Sequence, residues 1–172
     1  DMGNNTEGGV NALDVSKDGL VHRYDSLRSC HSGGYCEVYF TPGEEFRLSF
    51  DWMDSGEYSY GTPSGPWDYM NIIIGDPVGV TGSSNNYFDF PAGEILSVNS
   101  TTDYFLGQEE WTRYSTILNG NYSDQTKRIY FVWRNNSTNG NNPPATIDNL
   151  GIENRTCFAP TALTFSEPTT LS

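Results

Sequence analysis

The 172-residue chain carries 22 acidic and nine basic side chains, a net charge of −13, and 14% of its residues are aromatic. So few Lys and Arg cannot supply the cationic face that a phosphate backbone needs, which excludes nucleic acid, and the acidity equally opposes an anionic membrane surface. No stretch approaches the roughly 18 apolar residues that cross a bilayer, so insertion by a transmembrane helix is excluded too.

Residues 1–9 are polar and glycine-rich and read as an entry segment. Ala12 to Ser16 can form a strand, Lys17-Asp18-Gly19 turns, and Leu20 to Tyr24 can return as the second arm of a hairpin. Cys30 and Cys36 enclose His31-Ser32-Gly33-Gly34-Tyr35, whose two glycines allow a tight reversal. A disulfide across that loop fits an oxidising compartment and would stabilise modestly, because the loop is short. Zinc through Cys30, His31 and Cys36 is the alternative, and it lacks a fourth ligand. Cys157 is left over as a buried thiol or as the partner of a cysteine elsewhere.

Val38 and Phe40 share one face of a strand, and Thr41-Pro42-Gly43-Glu44 is a turn by composition. From Glu45 the alternation is strict: Phe46, Leu48, Phe50 and Trp52 fall on one side, Glu45, Arg47, Ser49 and Asp51 on the other. That is a half-buried strand with one wet face. Tyr69 to Ile74 is β-branched and nearly continuous, the pattern of a central strand covered on both faces. The connection between them, Met53 to Asp68, reads as a polar loop carrying Tyr58, Tyr60 and Trp67. Residues 75–90 are mostly loop, and Ile95 to Val98 is a short strand. Trp111 to Leu118 is another, followed by an Asn119-Gly120 turn. Lys127 to Arg134 is a core strand, residues 135–144 a polar loop, and Thr146 to Ile152 the last strand.

No helical period of useful length interrupts this series, so the fold class is all-β, a sandwich or barrel of short strands. After Glu153 the character changes, and a boundary falls near Asn154. The first residue is Asp1 rather than Met, which reads as a processed or excised piece of a longer protein.

The order of the pieces resembles a family. A Pro42-Gly43-Glu44 turn leads into Phe46-Arg47-Leu48-Ser49-Phe50-Asp51-Trp52, then Asp68-Tyr69-Met70-Asn71-Ile72-Ile73-Ile74. The Trp111 strand follows, then Arg128-Ile129-Tyr130-Phe131-Val132-Trp133-Arg134, and the unit closes on Ile147-Asp148-Asn149-Leu150. From Asn11 to Glu153 this is similar to the choice-of-anchor J and cleaved-adhesin domains of secreted Bacteroidetes proteins, relatives of the MAM domain. The tail, Cys157 to Leu163, resembles the opening of a fibronectin type III domain. The resemblance implies a two-sheet antiparallel jelly-roll β-sandwich over residues 1–153, with 154–172 beginning the next domain. It also implies export to the cell surface or medium as one module of a long polypeptide. It further implies a structural calcium at the closing Asp148, tied to the amino-terminal segment through Asp1, Asn4, Asn5 and Glu7, or alternatively to Asp14, Asp51 and Asp54. Calcium takes six to eight hard oxygen ligands, which such residues supply; an Asp148 that merely caps a turn is the plainer reading.

For ligand binding, Tyr58, Tyr60 and Trp67 stand out. Flat aromatic faces stack on the apolar faces of sugars while nearby carboxylates, here Asp54, Glu57 and Asp68, bind hydroxyls. The same residues could instead cover the edge of the core, the favoured reading for Tyr69. Catalysis finds little support: there are two histidines, no Gly-x-Ser-x-Gly element, and no carboxylate pair stands out. Five Asn-x-Ser/Thr triplets, at Asn4, Asn99, Asn121, Asn135 and Asn154, fall in expected loops. The reading is a non-catalytic extracellular adhesion or binding module whose partners are a glycan or a host or cell-surface protein, besides its neighbouring domains. The alternatives are a carbohydrate-binding accessory module of a polysaccharide-degrading enzyme, or a structural spacer or filament component.

Overall fold

The computed structural model describes residues 2–3, 12–15, 23–25, 27, 29–61, 65–78, 81–82, 88–89, 92–98, 102–118, 120–138 and 140–155. They form twelve strands: β1 (Met2–Gly3), β2 (Ala12–Asp14), β3 (Cys30–Phe40), β4 (Glu45–Asp54), β5 (Glu57–Ser59), β6 (Gly65–Gly75), β7 (Thr81–Gly82), β8 (Phe88–Asp89), β9 (Gly93–Ile95), β10 (Gln108–Leu118), β11 (Gln125–Asn135) and β12 (Thr146–Arg155). A 3-10 turn, Gly120–Tyr122, joins β10 to β11, and the described residues contain no α-helix. The first sheet runs β1-β2-β12-β4-β10. The second runs β3-β11-β6-β5, with β9 also on β6, and β7 and β8 pair separately. Every pairing is antiparallel, so the fold is the expected jelly-roll type of two-sheet sandwich.

The alternation in β4 drives this arrangement. Phe46, Leu48, Phe50 and Trp52 point inward and meet Met70, Ile72 and Ile74 of β6 and Ile129, Phe131 and Trp133 of β11. Phe50 is the hub, its ring 5.7 Å from both Phe105 and Phe131 and 5.0 Å from Tyr114. Each such aromatic pair adds about 0.5–1.5 kcal/mol beyond the area it buries. The unbroken apolar run of β6 also has a cause. Ile73, Tyr130 and Val132 form a second cluster on the outer face, where the segment after β6 folds back and the Tyr130 hydroxyl donates to the Asp76 carbonyl at 3.0 Å.

Three expectations need correction. Cys30 and Cys36 do not enclose a loop; both lie in β3, paired with Asn135 and Ile129 of β11. Six extended residues separate their Cα atoms by about 20 Å, against roughly 7 Å at most across a disulfide. Both thiols are free, and the same separation removes zinc through Cys30, His31 and Cys36. The stretch Met53 to Asp68 is not one loop: β4 continues to Asp54, and β5 and the start of β6 make a hairpin inside it. Tyr24 is not in a strand, and β2 pairs with β1 and β12. Residues 16–22, the fibronectin-like tail and Cys157 lie outside the described residues.

Candidate functional site

The β5–β6 hairpin carries the exposed aromatic residues. Glu57 faces Asp68, and a register shift follows immediately, so that Tyr58 pairs with Pro66 and Ser59 with Gly65. A bulge of this kind re-aims side chains. On β6, period two sends Asp68, Met70 and Ile72 inward and Tyr69 and Asn71 to the outer face, while Trp67 is the unpaired residue of the bulge. Tyr58 is 38% exposed, Trp67 37% and Tyr60 91%.

Four tyrosines gather there. The Tyr60 and Tyr58 rings are 4.9 Å apart, Tyr58 and Tyr104 6.4 Å, and Tyr104 and Tyr69 5.8 Å. Tyr104 is delivered by its neighbour. Phe105 docks into the core and exchanges two backbone hydrogen bonds with Met70, at 3.1 and 2.8 Å, which fixes Tyr104 above Tyr69. Of the three aromatic residues expected to bind ligand, Tyr58 and Tyr60 are brought together. Trp67 is exposed and makes no ring contact to them among the described residues. Tyr69, half-buried at the edge of the core as expected, also joins the track through Tyr104, which is itself half-buried and carries no periodic signal in the sequence.

The neighbouring carboxylates do not reach this surface. Asp54 and Asp68 are fully buried. Asp68 accepts the Tyr24 hydroxyl at 2.5 Å and the Asn136 amide at 2.8 Å. By strict geometry neither oxygen of Asp54, nor Glu57 Oε2, has a hydrogen-bond partner among the described residues, although the Gly56 and Met70 amides lie close enough to Asp54 to favour its charged form. Burial first, and the Asp68 charge second, push both Asp54 and Glu57 above the ordinary carboxylate range. Burial raises Asp68 as well, opposed by the hydrogen bonds it accepts from Tyr24 and Asn136. Burial and the same carboxylates drive the Tyr24 hydroxyl far above its usual range.

The described residues do not by themselves assemble the calcium site expected at Asp148. Asp148 accepts the Asn149 amide at 2.7 Å. Its cross-strand neighbour Asp51 is engaged by the Asn149 side-chain amide at 2.7 Å and by Arg113 at 3.2 Å. Among the described residues no group of three or more His, Cys, Asp or Glu is arranged to hold a metal. Asp1, Asn4, Asn5 and Glu7 lie outside them. Asn135 is buried with its side-chain amide bound to the Asn136 carbonyl, which leaves it a poor glycosylation acceptor, whereas Asn121 is exposed.

A recess of about 270 Å³ opens elsewhere, between β2, β3 and β11, lined by Leu13, Asp14, Ser32, Phe131 and Trp133. Asp14 Oδ1, Ser32 Oγ and Trp133 Nε1 along it lack hydrogen-bond partners, and the aromatic rings that line it, Phe131 and Trp133, are buried and present no face for stacking. The tyrosine track, where Tyr58 and Tyr60 are exposed, is the better candidate.

No protein-family model matches the sequence, and no curated protein matches it. Among solved structures the chain is similar to a "Family 16 Carbohydrate Binding Module-2", with a TM-score of 0.45 and 14% identity over 86% of this chain and 79% of that one. A likeness that distant does not bear on what this surface binds.

Proposed function

We propose that this is a non-catalytic module of a larger secreted adhesin-like protein, and that it binds carbohydrate along the track Tyr60–Tyr58–Tyr104–Tyr69. The supporting observation is the track itself: four phenol rings at steps of 4.9, 6.4 and 5.8 Å on one accessible face. Each ring offers a flat apolar surface and a hydroxyl that can donate or accept, the combination a sugar ring demands. The rings are mutually tilted by 53°, 33° and 60°. A flat crystalline polysaccharide face would need them coplanar, so a single twisting glycan chain is the better fit.

The non-catalytic reading rests on where the carboxyls lie. Asp54 and Asp68 have the shifted proton affinity that hydrolases use, yet both face inward with no exposed surface. An array of oligosaccharides, read with wild-type protein and with Tyr58→Ala and Tyr104→Ala, tests the proposal. Saturable binding that either substitution abolishes supports it; binding untouched by both, or release of new reducing ends by the wild type, overturns it.

A further inference from the structure

The track ends on a cation. Arg134 of β11 pairs directly with Tyr69 of β6 on one side and with His31 of β3 on the other. Cross-strand partners of this kind hold their Cβ atoms about 5 Å apart on one face of the sheet. The inward residues of β11 are Ile129, Phe131 and Trp133, so Arg134 projects outward beside the tyrosines.

Acidic residues outnumber basic ones by 22 to nine, and Arg113, Lys127, Arg128 and Arg155 each have a carboxylate partner. Arg23, Arg47 and Arg134 have no ion pair among the described residues, and of the three Arg134 is the one with a buried nitrogen, Nε, lacking an acceptor. A buried guanidinium nitrogen left unmatched costs stability, and the nearby Asp68 points to the opposite side of β6. The planar guanidinium fork matches carboxylate and sulfate oxygens with two parallel hydrogen bonds.

The geometry points to an anionic sugar as the ligand: its ring stacks along Tyr58, Tyr104 and Tyr69, and its carboxylate or ester sulfate pairs with Arg134. This rests on the tyrosine track being the carbohydrate surface. The net charge of −13 does not forbid it, because charges beyond about 8 Å are screened at physiological ionic strength, whereas a contact ion pair is not.

The test is an array of uronate-bearing, sulfated and neutral hexasaccharides probed with wild type, Arg134→Gln, Arg134→Lys and Tyr104→Ala, each first shown by thermal melting to be folded. Wild type is expected to prefer anionic sugars over their neutral counterparts, with the uronate and sulfate arms identifying the group. Arg134→Gln should lose on the order of tenfold to a hundredfold on the anionic sugars and leave neutral ones unchanged. Arg134→Lys should recover part of that loss, and Tyr104→Ala should weaken both classes. If neutral sugars bind as well as anionic ones and Arg134→Gln changes nothing, the anionic ligand is wrong and the track stands. If no sugar of any class binds, both are wrong.

Discussion

The Tyr24 hydroxyl donates to the Asp68 carboxylate across 2.5 Å, at the inner end of the β5–β6 hairpin. Its ring meets Trp133 edge-on at 5.2 Å, so one side chain ties the segment before β3 to both β6 and β11. Replacing Tyr24 with Phe keeps the packing and removes the donor. Asp68 then keeps only the Asn136 amide on its other oxygen. A buried acceptor stripped of its partner costs about 1–3 kcal/mol. Because this hydrogen bond lowers the Asp68 pKa, its loss disfavours the ionised form further. The destabilisation of Tyr24→Phe should therefore be larger at pH 8 than at pH 5, measured by urea unfolding; an equal loss at both would show that Asp68 does not feel the hydroxyl.

Asp54 gives a pH dependence of definite sign. Burial and the Asp68 charge hold its folded pKa well above the ordinary aspartate range, and the same two causes raise Glu57. A group whose folded pKa is raised contributes stability that is complete below the unfolded value and is lost as pH rises through the folded one. The protein should thus be more stable at pH 5 than at pH 8. Each such group contributes a slope of up to about 1.4 kcal/mol per pH unit between its two pKa values. Asp54→Asn should flatten the curve by one such contribution from about pH 4 upward, where an unfolded aspartate begins to ionise. Parallel curves for the two proteins would mean that Asp54 does not titrate in this range.

The strands are legible in the sequence because two periodicities agree with the burial they produce. In β4 every second residue is apolar, and in β6 and β11 both faces are covered, so alternation and continuous runs each have one meaning. The Cys30–Cys36 stretch is not legible, because Gly33-Gly34 carries the composition of a turn inside a strand. Gly33 answers instead to close approach: a Cβ there would lie 2.0 Å from the Phe131 carbonyl oxygen. The site is half legible. Tyr58 and Tyr60 stand two residues apart in one segment, but Tyr104 arrives from a distant stretch through the Phe105–Met70 bridge. That Arg134 has no ion pair among the described residues is a tertiary property that no local pattern records.

The reduced thiols make a direct prediction about redox. Cys30 and Cys36 lie in one strand and cannot meet, so a reductant should leave the melting temperature unchanged. Burial raises both thiols above their usual range, which keeps the reactive thiolate scarce. Alkylation by iodoacetamide at pH 8 should be slow in the folded protein and fast in urea, with the modified peptides identified by mass. A peptide linking Cys30 to Cys36 in unreduced protein would contradict the register of β3.

Gly56 is where the hairpin beneath the tyrosine track is most tightly specified. Its φ is +47°, and a Cβ would lie 2.1 Å from Leu106 Cδ1, 2.4 Å from the Asp68 carbonyl oxygen and 3.1 Å from Asp54 Oδ1. The Leu106 methyl can swing aside, but the Asp68 carbonyl belongs to the backbone of β6 and cannot move without displacing β5. Gly56→Ala should therefore cost about 2–5 kcal/mol, the left-handed backbone and the overpacking together. Gly43 supplies the control. Its φ is +78°, and a Cβ there would meet nothing within 4 Å, so Gly43→Ala bears the backbone strain alone, about 1–2 kcal/mol. The difference between the two, read from denaturant midpoints, isolates the packing of β5 against Asp68 and Leu106. Since β5 carries Tyr58, Gly56→Ala should also weaken glycan binding at temperatures where the protein remains folded, and Gly43→Ala should not. Equal stability losses in the two variants would mean that β5 is not packed against β6 in this way.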